Sequence, residues 1–152
     1  MCGIVGGVTD KNITPLLLEG LNRLEYRGYD SSGLIVLSQQ NSFDRARSVG
    51  KVSNLEMNLH SRSKEINGKI GIAHTRWATH GEPSNKNAHP HISKNSISVV
   101  HNGIIENYIA LKSLQIDQGY EFSSETDTEV IAHAIDFAMH SSNSLLEASQ
   151  KA

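Results

Sequence analysis

Cys2 is the only cysteine in a chain of 152 residues, and it stands directly behind Met1. A chain end is a poor place for a packing residue, because terminal residues are exposed and weakly held. Removal of Met1, which a side chain as small as Cys permits, would leave Cys2 carrying a thiol and a free α-amine. In model peptides free thiols and α-amines have pKa values of about 8.5 and about 7.7–8.0. The amine can then take the thiol proton directly or through one water, the logic of N-terminal threonine nucleophiles. The competing reading is an inert cysteine in a buried strand.

Three other places carry side chains with complementary chemistry. His74-Thr75-Arg76-Trp77-Ala78-Thr79-His80-Gly81 closes a predicted strand. Its Arg76 could grip a carboxylate in bidentate fashion, although an isolated Arg is more simply a solvated residue paired with an acid. Asn102-Gly103 places an amide side chain and a sterically open backbone N–H at a strand-to-helix turn. That pair suits a developing oxyanion, while Asn-Gly also makes ordinary turns. Asp127 falls in a first helical turn, where the helix dipole favours acids; it could instead bind an ammonium group. Of the eight histidines, none shows the i, i+4 spacing of a helical zinc pair, and there is no second Cys. No catalytic metal is expected.

These residues need a scaffold, and the periodicity supplies one. Cys2 to Val8 reads as a strand. Thr14-Pro15 reads as an N-cap and first helical position, followed by Leu17, Leu18, Leu21 and Leu24, with Gly28 ending the helix. Gly33 to Ser38 has the unbroken apolar character of a strand buried on both faces, paired with Phe43 to Val49 through a turn at Gln40-Asn41-Ser42. Capping-box spacing at Ser53/Glu56 and Thr126/Glu129 predicts two more helices. Lys69 to Arg76 and Ser96 to His101 read as strands flanking a long polar segment, Trp77 to Asn95. A helix reaching about Gln118 and a last turn opened by Ser144 and Glu147 complete the pattern. Strands in adjacent pairs between helices predict an α+β fold with helices on largely antiparallel sheets.

Composition sets the outer limits. The net charge of −2 offers no general attraction to nucleic acid or anionic membrane. A single Cys excludes an intramolecular disulfide and fits a reducing, cytoplasmic location. No stretch has the length of a transmembrane helix, and no secretory signal is visible. One core and one domain suit this length.

Six blocks then occur in one order: Cys2-Gly-Ile-Val-Gly, Leu24 to Ser31, His74 to Pro83, Asn87 to His91, Val100 to Asn107 and Ser124 to Ile131. In these the chain resembles the N-terminal glutaminase domains of the glutamine–fructose-6-phosphate aminotransferases (isomerizing), within the class II glutamine amidotransferases. The resemblance implies an N-terminal-nucleophile hydrolase fold, a four-layer αββα sandwich. It also implies roles: Cys2 as nucleophile with its α-amine as base, Asn102 and Gly103 as oxyanion hole, and Arg76, Trp77, Thr79, His80 and Asp127 around L-glutamine. It further implies no cofactor, a separate isomerase domain binding fructose 6-phosphate, and a homodimer among the assemblies to be considered. The glutaminase domain is expected to be C-terminally truncated here, with one sandwich layer incomplete. Two readings stand beside this one: a class II amidotransferase with another ammonia acceptor, and a non-catalytic glutamine-binding fragment.

Overall fold

The computed structural model describes residues 2–27, 29–78 and 81–152. In chain order the elements are β1 (Gly3–Val8), α1 (Thr14–Leu24), β2 (Ser31–Ser38), β3 (Phe43–Val49), α2 (Val52–His60), β4 (Gly68–Arg76), β5 (His91–Ser93), β6 (Ile97–Val99), α3 (Tyr108–Asp117), α4 (Glu129–Met139) and α5 (Leu145–Lys151). A turn of 3-10 helix, Glu25–Arg27, follows α1. Gly28, expected to end that helix, lies outside the described residues.

β1, β4, β2 and β3 form a four-stranded sheet in that order, antiparallel throughout, and β5 pairs with β6 in a second sheet. Side chains alternate across a strand, and β2 shows both uses of that alternation. Its Leu34 and Val36 join Leu17 and Leu21 of α1, Val52 and Leu55 of α2, and Ile13, Ala46, Ile66 and Ala73 in the main core. Its Ile35 and Leu37 face the other way, lining a cavity shared with Ile97 and Leu145. Gly33 belongs to this second face: a Cβ there would lie 2.1 Å from the His89 carbonyl oxygen. Only glycine lets the 86–90 segment approach the sheet so closely. Arg45 and Arg47 of β3 fasten the same segment, donating to the carbonyls of Pro90, Lys86 and Ala88, each at 3.1 Å. A smaller core of Ile97, Ile135, Ala138 and Ala148 joins β6 to α4 and α5. The layers therefore run helix, sheet, sheet, helix, and the second sheet is much the thinner.

Three expected caps are replaced by other contacts. Thr14 lies inside α1, and its hydroxyl bonds the Ile66 carbonyl at 2.9 Å. Ser53 makes no cap either; the Glu25 carboxylate accepts the Val52 N–H at 2.7 Å from 27 residues away. Thr126 does not cap α4. Instead Glu129 reaches back to the N–H and hydroxyl of both Ser123 and Ser124. Ser144 does cap α5, accepting the Glu147 N–H at 3.2 Å. The polar segment before Asn95 also contains β5, which its histidine-rich sequence had concealed.

Candidate active site

Strand register gathers the site. Gly3 of β1 lies opposite Thr75 of β4, and Arg76 lies opposite Ser31 of β2. The start of β1, the end of β4 and the start of β2 thus meet at one end of the large sheet. The Gly3 N–H donates to Thr75 Oγ1 at 2.9 Å, fixing the entry to β1. One residue earlier, the Cys2 sulfur accepts a hydrogen bond from the Trp77 N–H at 3.1 Å. Cys2 is partly exposed and reduced, so a small molecule can reach it.

Asn102, 100 residues away, donates from Nδ2 to the Cys2 carbonyl at 3.1 Å. Its Oδ1 meets Nε2 of His74 at 2.8 Å. Burial pushes the His74 pKa down to about 4, against the opposing pull of its hydrogen bond with Asn102. Its imidazole is therefore neutral near pH 7. Gly103 follows Asn102 on the exposed side, where a Cβ would lie 2.7 Å from His101 Nε2. Any larger residue here would have to displace the His101 ring.

Arg76 is only 3% exposed, so the solvated-arginine reading is set aside. Its guanidinium donates to the carbonyls of Gly81 at 3.1 Å and Glu82 at 3.4 Å, and pairs with Asp30 at 3.9 Å. Asp30 also accepts the Ala78 N–H and the Ser31 hydroxyl, and its own N–H donates to the Arg76 carbonyl at 2.8 Å. Asp127 is buried, and its carboxylate accepts the Ile105 N–H at 2.7 Å. It thereby ties the start of α4 to the segment just beyond Asn102-Gly103. Asn87 links the loop held by Arg76 to the same region through Glu82, the Glu125 carboxylate and the Glu125 N–H.

The structure thus brings Cys2, Trp77, Asn102 and Gly103 to one end of the large sheet. Arg76 and Asp127 anchor the loops around them. Trp77 takes part through its backbone, while its side chain is 54% exposed. Thr79 and His80 lie outside the described residues. Two contributors had no role in the sequence reading: Asp30 and His74. The available signals were an acid at the start of a predicted strand and a histidine inside one. Among the described residues, no group of three or more His, Cys, Asp and Glu side chains is placed to hold a metal ion. His89 packs between His74 and His91, with ring centroids 4.2 and 4.5 Å from theirs.

Comparison with known proteins adds a second line. A family model described as a glutamine amidotransferase domain matches residues 60–144, a range that holds Arg76, Asn102, Gly103 and Asp127. The chain is 58% identical over 148 residues to the glutamine–fructose-6-phosphate aminotransferase (isomerizing) of Acinetobacter baylyi, covering 97% of this chain and 24% of that protein. The corresponding Haemophilus ducreyi protein is 56% identical over all 152 residues, again 24% of its length. The chain spans about a quarter of the length of these curated relatives. Among solved structures, the glutamine phosphoribosylpyrophosphate amidotransferase of Bacillus subtilis aligns with a TM-score of 0.71 at 26% identity, over 98% of this chain and 31% of that one. An allosteric regulatory enzyme of purine biosynthesis aligns at 0.76 and 27%, over 97% and 32%.

Proposed function

The chain belongs to the glutamine amidotransferase domain family, and from that premise we propose that it releases ammonia from glutamine with Cys2 as the nucleophile. Its fold is the α+β N-terminal-nucleophile hydrolase sandwich of the amidotransferases it aligns with. The observation that carries the proposal is the Cys2 environment. The sulfur bonds the Trp77 N–H at 3.1 Å while Asn102 holds the same residue's carbonyl at 3.1 Å, so thiol and amide donor are held together before substrate arrives.

In the proposed mechanism, the freed α-amine takes the thiol proton and the sulfur adds to the glutamine side-chain carbonyl. The oxyanion formed there is held by the Asn102 amide and the Gly103 N–H. The C–N bond then breaks, with the proton passing from the amine to the departing ammonia. Water cleaves the remaining γ-glutamyl thioester, giving glutamate and restoring the thiol. Arg76 and Asp127 are proposed to bind the α-carboxylate and α-ammonium of glutamine, with Trp77, Thr79 and His80 shaping the pocket. The partial exposure of Cys2 and the buried, tethered state of the two charged groups support this division of labour.

For the whole protein we propose that ammonia serves the conversion of fructose 6-phosphate to glucosamine 6-phosphate on a separate isomerase domain. The names of the 54–58% identical relatives support that acceptor over others. The 152-residue chain is then part of a glutaminase domain, and a cytoplasmic homodimer is the assembly to test by sedimentation. Among the described residues, no helix is long and apolar enough to cross a membrane.

The test treats N-terminally processed protein with a glutamine-like thiol alkylator and maps the adduct. Modification confined to Cys2, blocked by glutamine, and loss of glutaminase turnover in Cys2→Ala are expected. Comparable turnover in Cys2→Ala would overturn the mechanism. Intact glutamine binding without reaction at Cys2 would favour a non-catalytic module.

A further inference from the structure

The amide of Asn102 touches two groups that disagree about which end they want. The Cys2 carbonyl, 3.1 Å from Nδ2, can only accept. His74 Nε2, 2.8 Å from Oδ1, must therefore carry its proton, because an amide oxygen never donates. Turning the amide over would set its oxygen against the Cys2 carbonyl and its NH2 against the imidazole N–H. Both contacts would then be lost at once. The NH2 group has two hydrogens, and the Cys2 carbonyl takes one. The second remains for an oxyanion formed at Cys2.

We infer that His74 is a positioning residue: as an Nε2–H donor it locks the Asn102 amide with its NH2 toward Cys2, so the oxyanion donor is set before substrate binds. The inference rests on the proposed role of Asn102. His74 is well suited to the task. It is 1% exposed, sits within β4 opposite Ile4 and Gly33, and stacks on His89 at 4.2 Å. A side chain held this tightly costs little to keep in place when the reaction begins. Both protonation states of the imidazole carry an Nε2–H, so the positioning does not titrate.

The test combines His74→Leu and His74→Gln, each made in the natural background and in Asn102→Ala, using N-terminally processed full-length protein. The readouts are kcat and KM for glutamine hydrolysis, with thermal unfolding to register folding. His74→Leu is expected to lower kcat by roughly 10- to 100-fold with little change in KM, below the roughly 10²–10³-fold ceiling for removing an oxyanion donor. The loss should have the same size across pH 6 to 8. His74→Gln, which retains an amide N–H, should recover part of the loss. In the Asn102→Ala background either substitution should change kcat by less than about twofold, since the two residues act as one unit.

An equal loss in both backgrounds, a loss confined to KM, or an undiminished kcat in His74→Leu overturns the inference. Should His74→Leu not fold, the comparison of His74→Gln in the two backgrounds decides by the same criterion. Full turnover in Asn102→Ala alone is a separate result: it removes the oxyanion role of Asn102, and the role of His74 falls with it.

Discussion

Arg76 shows how much a single residue's surroundings alter its meaning. A buried guanidinium is costly unless carbonyls and carboxylates surround it, and here the carbonyls of Gly81 and Glu82 and the carboxylate of Asp30 do so. Asp30 in turn holds the Ala78 N–H, next to the Trp77 N–H that meets the Cys2 sulfur. Asp30→Ala removes the acceptor of a charge-assisted bond worth about 1.5–3 kcal/mol. We therefore expect glutamine hydrolysis to lose roughly tenfold or more in kcat/KM, measured on protein whose far-ultraviolet circular dichroism is unchanged. Asn102→Ala should lose roughly 10²–10³-fold in kcat. A change only in KM would mean that Asn102 binds substrate without stabilising the oxyanion.

At the scale of the elements, the capping signals mattered less for starting helices than for tying loops together. The Glu129 carboxylate is fully buried, which by itself pushes its pKa up. Hydrogen bonds from Ser123 and Ser124 outweigh that effect and bring it below the usual carboxylate range. These bonds tie the 123–128 segment to the start of α4, and Asp127 lies inside it. Glu129→Gln would turn an NH2 group toward two of these donors. Leaving buried donors unpaired costs about 1–3 kcal/mol, so the denaturation midpoint should fall. If Asp127 binds glutamine, KM should rise as well. Unchanged stability would mean that water replaces the lost acceptor. α3 presents the opposite case: Gln115 is its only fully buried side chain, while Ile109, Leu114 and Ile116 are 70, 54 and 52% exposed.

For the whole molecule, the close approach of the two sheets has an electrostatic consequence. His74, His89 and His91 lie between them, and burial lowers all three pKa values, that of His74 to about 4. The unfolded chain binds protons at these sites from about pH 6.5 downward, whereas the folded chain resists them. Stability is therefore fully present above pH 6.5 and is lost as pH falls toward 4. At about 1.4 kcal/mol per pH unit, His74 alone should remove about 2 kcal/mol between pH 7 and 5 and about 3 kcal/mol in all. His89 and His91 act in the same direction. Urea unfolding at pH 7, 6 and 5 measures this slope, and a flat profile would contradict it.

An unbroken apolar run located β2 and helical period located α1, because each buries a regular set of side chains, while capping-box spacing pointed to α2 and α4 although neither box forms as a cap. Cys2, Asn102-Gly103, Arg76 and Asp127 were legible as candidates, since their chemistry shows in the residue types. β5 was hidden because its three residues, His91–Ser93, hold one apolar side chain between two polar ones and become a strand only through pairing with β6 and burial under α4. The cap of α2 was hidden for a related reason: Glu25 reaches Val52 across 27 residues, and no local pattern encodes such a contact. The same holds for the partners of Cys2. Its position made it a candidate, but Trp77 and Asn102 reach it only through strand register and the docking of two sheets. Short-range order decided which groups exist, and long-range packing decided which of them meet.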